Sequence, residues 1–374
     1  MKLLRSFLFT GIVTAFMSSS PATAADVPFY IGTYTKAEGS KGIYLQRLNL
    51  ETGAMTPPEL AAEVQNPTFL AFHPNGTQLY AAVENGNGAV AGFSLNAEGK
   101  LEKLNEQPSK GGGACHIAID PNGRYALVAN YGGGSVAALP IGKDGQLVPA
   151  TGFAQHTGSS ANPQRQKEPH AHSIYSDRQG QFIYACDLGT DQVLIYRLDQ
   201  GQGTLTPHEP AFAKLAPGSG PRHLAFHERG FAYVINELLN TVTAFKHDAA
   251  AGTLKEIQTI PTLPDGFTGQ SSTAEIFIHP NGKFVYGSNR GHESIVVYAI
   301  GDDGRLTLVD HTPTQGKHPR NFAIDPSGKF LLAANQNTDD IVSFRIDQAT
   351  GKLTPTGHTT KLSAPVCIVF PPQK

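Results

Sequence analysis

Tryptophan is absent from the 374 residues, and cysteine and methionine occur three times each. Without tryptophan, the repeat architectures whose signature is a Trp-Asp pair are excluded. The three cysteines, Cys115, Cys186 and Cys367, cannot all pair with one another, and their spacing is not that of a zinc site. They are read as small buried hydrophobes. Charge is also sparse: Asp, Glu, Lys and Arg make up 16 % and the formal net charge is −2. No basic stripe is present, which argues against a nucleic-acid partner. Long hydrophobic runs are missing too. The apolar stretch Phe7 to Met17 has 11 residues, short of the ~20 that a membrane span requires. No membrane anchor is expected in the mature protein.

That short stretch has a different reading. Lys2 and Arg5 precede it, and the small-x-small triplet Ala22-Thr23-Ala24 follows. The order of charged start, apolar run and cleavage site is that of a secretory signal. Residues 1–24 are therefore expected to be removed, leaving residues 25–374 as one exported domain. The periplasm is the preferred compartment, secretion the alternative.

What the chain has in abundance is glycine (40) and proline (26), without a collagen period. They mark a repeat. LAFHPNGTQLYAAVEN around Gly76 is echoed around Gly123, Gly180, Gly230, Gly282 and Gly328, at intervals of 47, 57, 50, 52 and 46 residues. Each copy has an apolar run, a hairpin turn with Gly (preceded by Pro around Gly76, Gly123, Gly282 and Gly328), a second apolar run, a β-rich run such as VLIYRL, and a short final strand such as GTLTPH. Four strands per ~50 residues form a propeller blade. Six copies are complete. Residues 29–60 hold only the later strands of a seventh, and the chain end APVCIVFPP matches a first strand. The expected fold is an all-β, seven-bladed β-propeller with four-stranded blades. Its ring closes by pairing N- and C-terminal strands in one blade, which removes open sheet edges.

In such a blade the first strand lies nearest the axis. Its start meets the end of strand two at the face opposite the Pro-Asn-Gly hairpins. Counting back three from the last apolar residue before each turn gives Phe69, His116, His172, His223, Glu275, Asn321 and Cys367; one further back lie Thr68, Cys115, Ala171, Arg222, Ala274, Arg320 and Val366. Strand two ends on Glu84, Tyr131, Leu188, Glu237, Arg290 and Gln336. The position before holds Val83, Asn130, Asp187, Asn236, Asn289 and Asn335. The Asn/Asp column repeats one residue type and is read as capping. The others change chemistry from blade to blade and bring His, Arg and Glu to one concavity, mainly on blades 3 to 6, the pattern of a functional site. His170 and His172 can share a strand face, but no carboxylate or Cys stands at metal-ligand spacing. No metal or cofactor is expected. The insertion His156 to Pro169 is either a lid or a plain surface loop, and Pro261 to Ser272 is a second candidate wall.

The segments EPHAHSI (168–174), GSGPRHLAF (218–226), YVINEL (233–238), AEIFIHPNG (274–282), SNRGHESI (288–295) and HPRNFAIDPSG (318–328) resemble the lactonase family of seven-bladed propellers. This family includes bacterial 6-phosphogluconolactonases and the fungal carboxymuconate cycloisomerase. The resemblance implies hydrolysis of a sugar lactone, glucono-1,5-lactone or its 6-phosphate, and catalytic residues His172, Arg222, Glu237 and Arg290. His116, His170, His223, Glu275 and Arg320 are the expected substrate-binding groups. Glu237 or His172 is the candidate base, with Arg222 and Arg290 for the oxyanion. The expected export favours an unphosphorylated lactone, and the arginines favour an anionic one. A muconate-type cycloisomerase and a non-enzymatic binding propeller are the alternatives.

Overall fold

The structure is a computed structural model and describes residues 26–373. The expected signal segment lies outside the described residues. Seven four-stranded antiparallel sheets form the ring. The inner strands are Pro67–Phe72 (blade 1), Ala114–Ile119 (blade 2), Ala171–Ser176 (blade 3), Pro221–His227 (blade 4), Ser272–Ile278 (blade 5), Pro319–Ile324 (blade 6) and Pro365–Val369 (blade 7). Blade 7 is assembled as expected: Pro365–Val369 pairs with the N-terminal strand Val27–Thr33, with Gly32 opposite Cys367.

Neighbouring blades share their cores. Tyr80 and Val90 of blade 1 pack with Ile117 and Val128 of blade 2; Phe29 and Ile31 of blade 7 pack with Leu332 and Ile341 of blade 6. A tyrosine on the second strand also fastens a blade to the next. Its hydroxyl donates to a backbone carbonyl in the neighbour's outer turn: Tyr30 to Gly99 (2.7 Å), Tyr80 to Gly145 (2.8 Å), Tyr233 to Gly304 (3.0 Å) and Tyr286 to Gly351 (2.7 Å). Histidines in the inner hairpins do the same work nearer the axis. The Nε2 atoms of His73, His227 and His279 bond to the carbonyls of Gly123, Gly282 and Gly328 at 2.8–2.9 Å. Those three histidines are structural. Tyr233→Phe leaves the Gly304 carbonyl without its partner and is expected to cost about 1 kcal/mol of stability. Urea unfolding measures this, with enzymatic rates unchanged.

The inner strands share one irregularity that builds the site. In blades 1, 2, 3, 4, 6 and 7 the register shifts after the first pair, leaving one residue bulged: Thr68, Cys115, His172, Arg222, Arg320 and Val366. Blade 5 shifts between Thr273 and Ile276. A bulge turns two consecutive side chains toward one region, against the alternation of a regular strand. So Arg222 and His223 both serve the axis.

Blade 3 corrects the column alignment by one residue. Ser173, opposite Cys186, is the counterpart of His116 (opposite Ala129) and His223 (opposite Ile235). His172 is therefore the counterpart of Arg222 and Arg320. The slip has a plain cause. The residue facing Ile183 at the end of the strand is Ser176 rather than an apolar one, so counting from Tyr175 started one place early.

Candidate active site

Glu237 organises the mouth. It ends the second strand of blade 4, and its own backbone N–H donates to the carbonyl of Gly220 at 2.7 Å. Carboxylate Oε2 lies 3.0 Å from Arg290 Nη2, 3.2 Å from Arg222 Nε and 3.9 Å from His172 Nε2. Oε1 accepts from Arg165 Nη2 at 2.8 Å. Burial alone would raise the Glu237 pKa, but Arg290, Arg222 and Arg165 outweigh it and hold the carboxyl at about 2. The two deep arginines are fixed from behind by backbone: Arg222 Nη1 donates to the Ala274 carbonyl (2.7 Å) and Arg290 Nη2 to that of Thr273 (2.6 Å). Burial, then Arg290 and Arg320, lower the Arg222 pKa to about 10, so it remains a cation at neutral pH.

His172 stands beside this cluster as a neutral ring. Burial first, then Arg222, His223 and Arg320, drive its pKa well below 6.5. Its buried Nδ1 has no hydrogen-bond partner among the described residues. Tyr131 meets both blade-3 histidines: His170 stacks on it at 4.5 Å and His172 meets it edge-on at 5.3 Å. His170 is thus placed at the rim, with Nδ1 bonded to the Tyr131 carbonyl at 3.0 Å.

The other candidate residues divide into two places. Arg320 is half-buried on the far side of the mouth, where Nη2 donates to the Tyr34 hydroxyl at 3.2 Å; Tyr34 in turn donates to Glu84 at 2.8 Å. His116, His223 and Glu275 lie one layer deeper. His223 Nδ1 is 2.7 Å from Glu275 Oε1, its Nε2 is 3.3 Å from Arg222 Nη1, and its ring meets those of Phe69, His116 and His172 at 5.3–5.6 Å. Asn321 donates to Glu275 Oε2 at 2.6 Å. This layer of rings separates the mouth from a second cavity of about 680 Å³, lined mostly by apolar groups such as Phe72, Phe226, Phe277 and Phe370. The larger cavity is thus not the chemical one: the ion cluster around Glu237 and the neutral His172 lie above the ring layer.

Burial raises Glu275 to about 7, although Arg222 beside it pulls the other way. A carboxyl whose pKa is raised on folding favours the folded state below its ordinary value of 4.5 and loses that advantage as pH rises through about 7. Glu275→Gln is therefore expected to gain stability relative to the wild type between pH 5 and pH 8. Thermal melts at the two pH values read the difference.

Four residues of the mouth were not on the candidate list. Glu84 and Tyr131 occupy strand-two ends and were visible in that column. Tyr34 sits in the split blade, outside the aligned copies. Arg165 lies in the insertion 156–169, which has no counterpart in the repeat. That insertion is hydrogen-bonded to blade 3 at several points. His156 Nδ1 pairs with Asp187 at 2.6 Å, Gln166 Nε2 donates to Asp191 and to the Leu188 carbonyl at 2.8 Å, and the Asn162 side chain caps the turn that carries Arg165 at 3.1 Å. The second insertion meets blade 5 beside Arg290: the Ser271 hydroxyl donates to the Arg290 carbonyl at 3.1 Å. The capping reading of the Asn column holds at Asn236, which bonds Thr241 and Thr243, and at Asn289, which bonds the Thr262 carbonyl. All three cysteines are free and buried, and burial raises their pKa values.

A seven-bladed ring with arginines, glutamate and histidine gathered at one mouth defines a known class, and residues 28–370 match the model of the lactonase family of seven-bladed β-propellers. The chain belongs to this family. It is 39 % identical over 345 residues to a 6-phosphogluconolactonase of Bacillus subtilis, covering 91 % of this chain and 97 % of that one. A 6-phosphogluconolactonase of Formosa agariphila is 36 % identical over 334 residues, with 87 % and 94 % covered. Among solved structures, the periplasmic gluconolactonase of Pseudomonas aeruginosa superposes with a TM-score of 0.88 at 32 % identity, covering 92 % of this chain and 99 % of that one.

Proposed function

We propose that this protein hydrolyses the ring ester of a sugar 1,5-lactone at the mouth organised by Glu237. The observation that carries the reading is the juxtaposition of a neutral His172, with an unpartnered nitrogen, and two arginines held by one carboxylate. The relatives named for lactone hydrolysis support it.

Water adds to the lactone carbonyl carbon, and its proton passes to a base. The oxygens of Glu237 are occupied by three arginines, whereas the His172 ring is neutral and its Nδ1 has no partner among the described residues. We therefore assign His172 as the base, and as the donor that returns the proton to the ring oxygen when the C–O bond breaks. Arg222 and Arg290 stabilise the tetrahedral oxyanion. Glu237 is the positioning residue that holds both guanidinium groups in place. His223 positions Arg222 from below, accepting at Nε2 while Nδ1 donates to Glu275. His116 packs against this layer, and His170 holds Tyr131 flat. Arg320 supplies further positive charge for the substrate.

We also extend to this chain the export that its first 24 residues suggest, which leaves a single propeller of residues 25–374. The P. aeruginosa relative named as periplasmic agrees with that reading. The function is tested by alkali consumption at constant pH with glucono-1,5-lactone and 6-phosphoglucono-1,5-lactone, above the spontaneous rate. Hydrolysis of neither lactone overturns it.

A further inference from the structure

Arg165 stands apart from the other cations of the mouth. Its side chain is 41 % exposed, against 3 % for Arg222 and 7 % for Arg290, yet it bonds the same carboxylate. Among the described residues it supplies the sole hydrogen bond to Glu237 Oε1, and the same Nη2 donates to the Tyr131 hydroxyl at 3.0 Å. Its backbone is pinned by the Asn162 turn and by Gln166, so movement of this group means rotation of the side chain.

The space among the inner-strand residues below the mouth is small. The void bounded by Thr68, Cys115, Arg222, Glu275 and Arg320 measures about 10 Å³. On that measure, about 10–15 Å³ holds a single water molecule. A sugar ring cannot descend there, so a substrate approaches from the side where Arg165, the exposed cation of the cluster, holds Glu237 Oε1, and engaging Arg165 exchanges that bond for one to the ligand. For a neutral ligand, that exchange breaks a charge-assisted bond and replaces it with weaker ones. For a ligand with its own anionic group, Arg165 exchanges one oxyanion partner for another. The charge balance points the same way. Arg165, Arg222, Arg290 and Arg320 face the carboxylates Glu84 and Glu237, with Glu275, raised to about 7 by burial, as the third acid a layer deeper.

We infer that Arg165 is the specificity-determining residue of this mouth and selects lactones that carry an anionic substituent, phosphate or carboxylate. The inference rests on lactone hydrolysis at this site. It concerns which lactone is preferred, and the preference is carried by a side chain outside the repeat.

The test measures kcat and KM for 6-phosphoglucono-1,5-lactone, a glucarolactone and glucono-1,5-lactone in wild type, Arg165→Ala and Arg165→Lys. Wild type is expected to prefer an anionic lactone. Arg165→Ala should lower kcat/KM for that lactone about tenfold or more through KM, with a clearly smaller loss on the neutral lactone. Arg165→Lys should recover part of the loss. Which anionic lactone responds distinguishes phosphate from carboxylate. Equal changes on all three substrates, as a purely structural role would give, overturn the inference. Calorimetry with 6-phosphogluconate, glucarate and gluconate separates the two readings. Arg165-dependent binding of an anionic aldonate without any turnover removes the hydrolase reading and keeps the selectivity. No Arg165-dependent difference in binding or turnover removes the selectivity.

Discussion

His172→Gln is expected to lower kcat for lactone hydrolysis by about 10²- to 10⁴-fold with little change in KM, the range for removal of a general base. Glutamine keeps polar reach at the bulge but cannot take a proton from water. The pH profile provides the second signature. Burial and the surrounding arginines hold the His172 pKa well below 6.5, so the ring remains neutral into mildly acidic solution. Wild-type activity should therefore persist below pH 6.5 and decline only at lower pH, where the imidazole protonates. In His172→Gln that acid limb should vanish along with most of the rate. A retained acid limb would show that another group supplies the base. Initial rates between pH 4 and 7, corrected for spontaneous hydrolysis, decide this.

Glu237→Gln is the second large effect, and its cause is different. Removal of the carboxylate leaves Arg290 buried with a backbone carbonyl as partner and no directly paired counter-charge, and leaves Arg222 with its backbone partner and Glu275 a layer deeper. Unpaired buried charge costs about 3–5 kcal/mol, and a disturbed oxyanion site about 10²- to 10³-fold in kcat. Both losses are expected together, by thermal or urea unfolding and by turnover. The linkage has a definite sign. Glu237 falls on folding from its ordinary 4.5 to about 2, so its stabilisation is present above pH 4.5 and is lost as pH falls toward 2. The gap in stability between wild type and Glu237→Gln should be widest at neutral pH and close on acidification through that window. A gap that does not vary with pH would show that Glu237 is not ionised in this cluster.

The ring, the blade count and the split seventh blade were legible because each blade must bury two faces against its neighbours. That requirement stamps the same apolar runs and turn residues on every copy. The mouth was legible in part for the same reason: residues at fixed offsets from a repeated turn fall at one height on the axis. Ser176 breaks the apolar pattern of blade 3, and this displaces His172 into a neighbouring column of the repeat. Arg165 was not legible in this way, because an insertion has no copy to be aligned with and its position depends on contacts to Asp187 and Asp191 far along the chain. Glu275 was read correctly as facing the axis, but depth along the axis has no signature in a periodic sequence. Only the packing of His223 and Phe69 places it below the arginines.

The seventh sheet has a consequence for assembly. Its inner strand comes from the last ten residues and its next strand from the start of the described chain, so Gly32 meets Cys367 only when the whole polypeptide is available. A ribosome that has delivered six blades has delivered an open arc with two raw sheet edges. The final clasp is also the contact of longest sequence separation, the kind formed late and slowly. A chain truncated before Pro365 would lose a few residues of mass and, with them, the closure of the circle on which the alignment of Arg222, Arg290 and Arg320 depends.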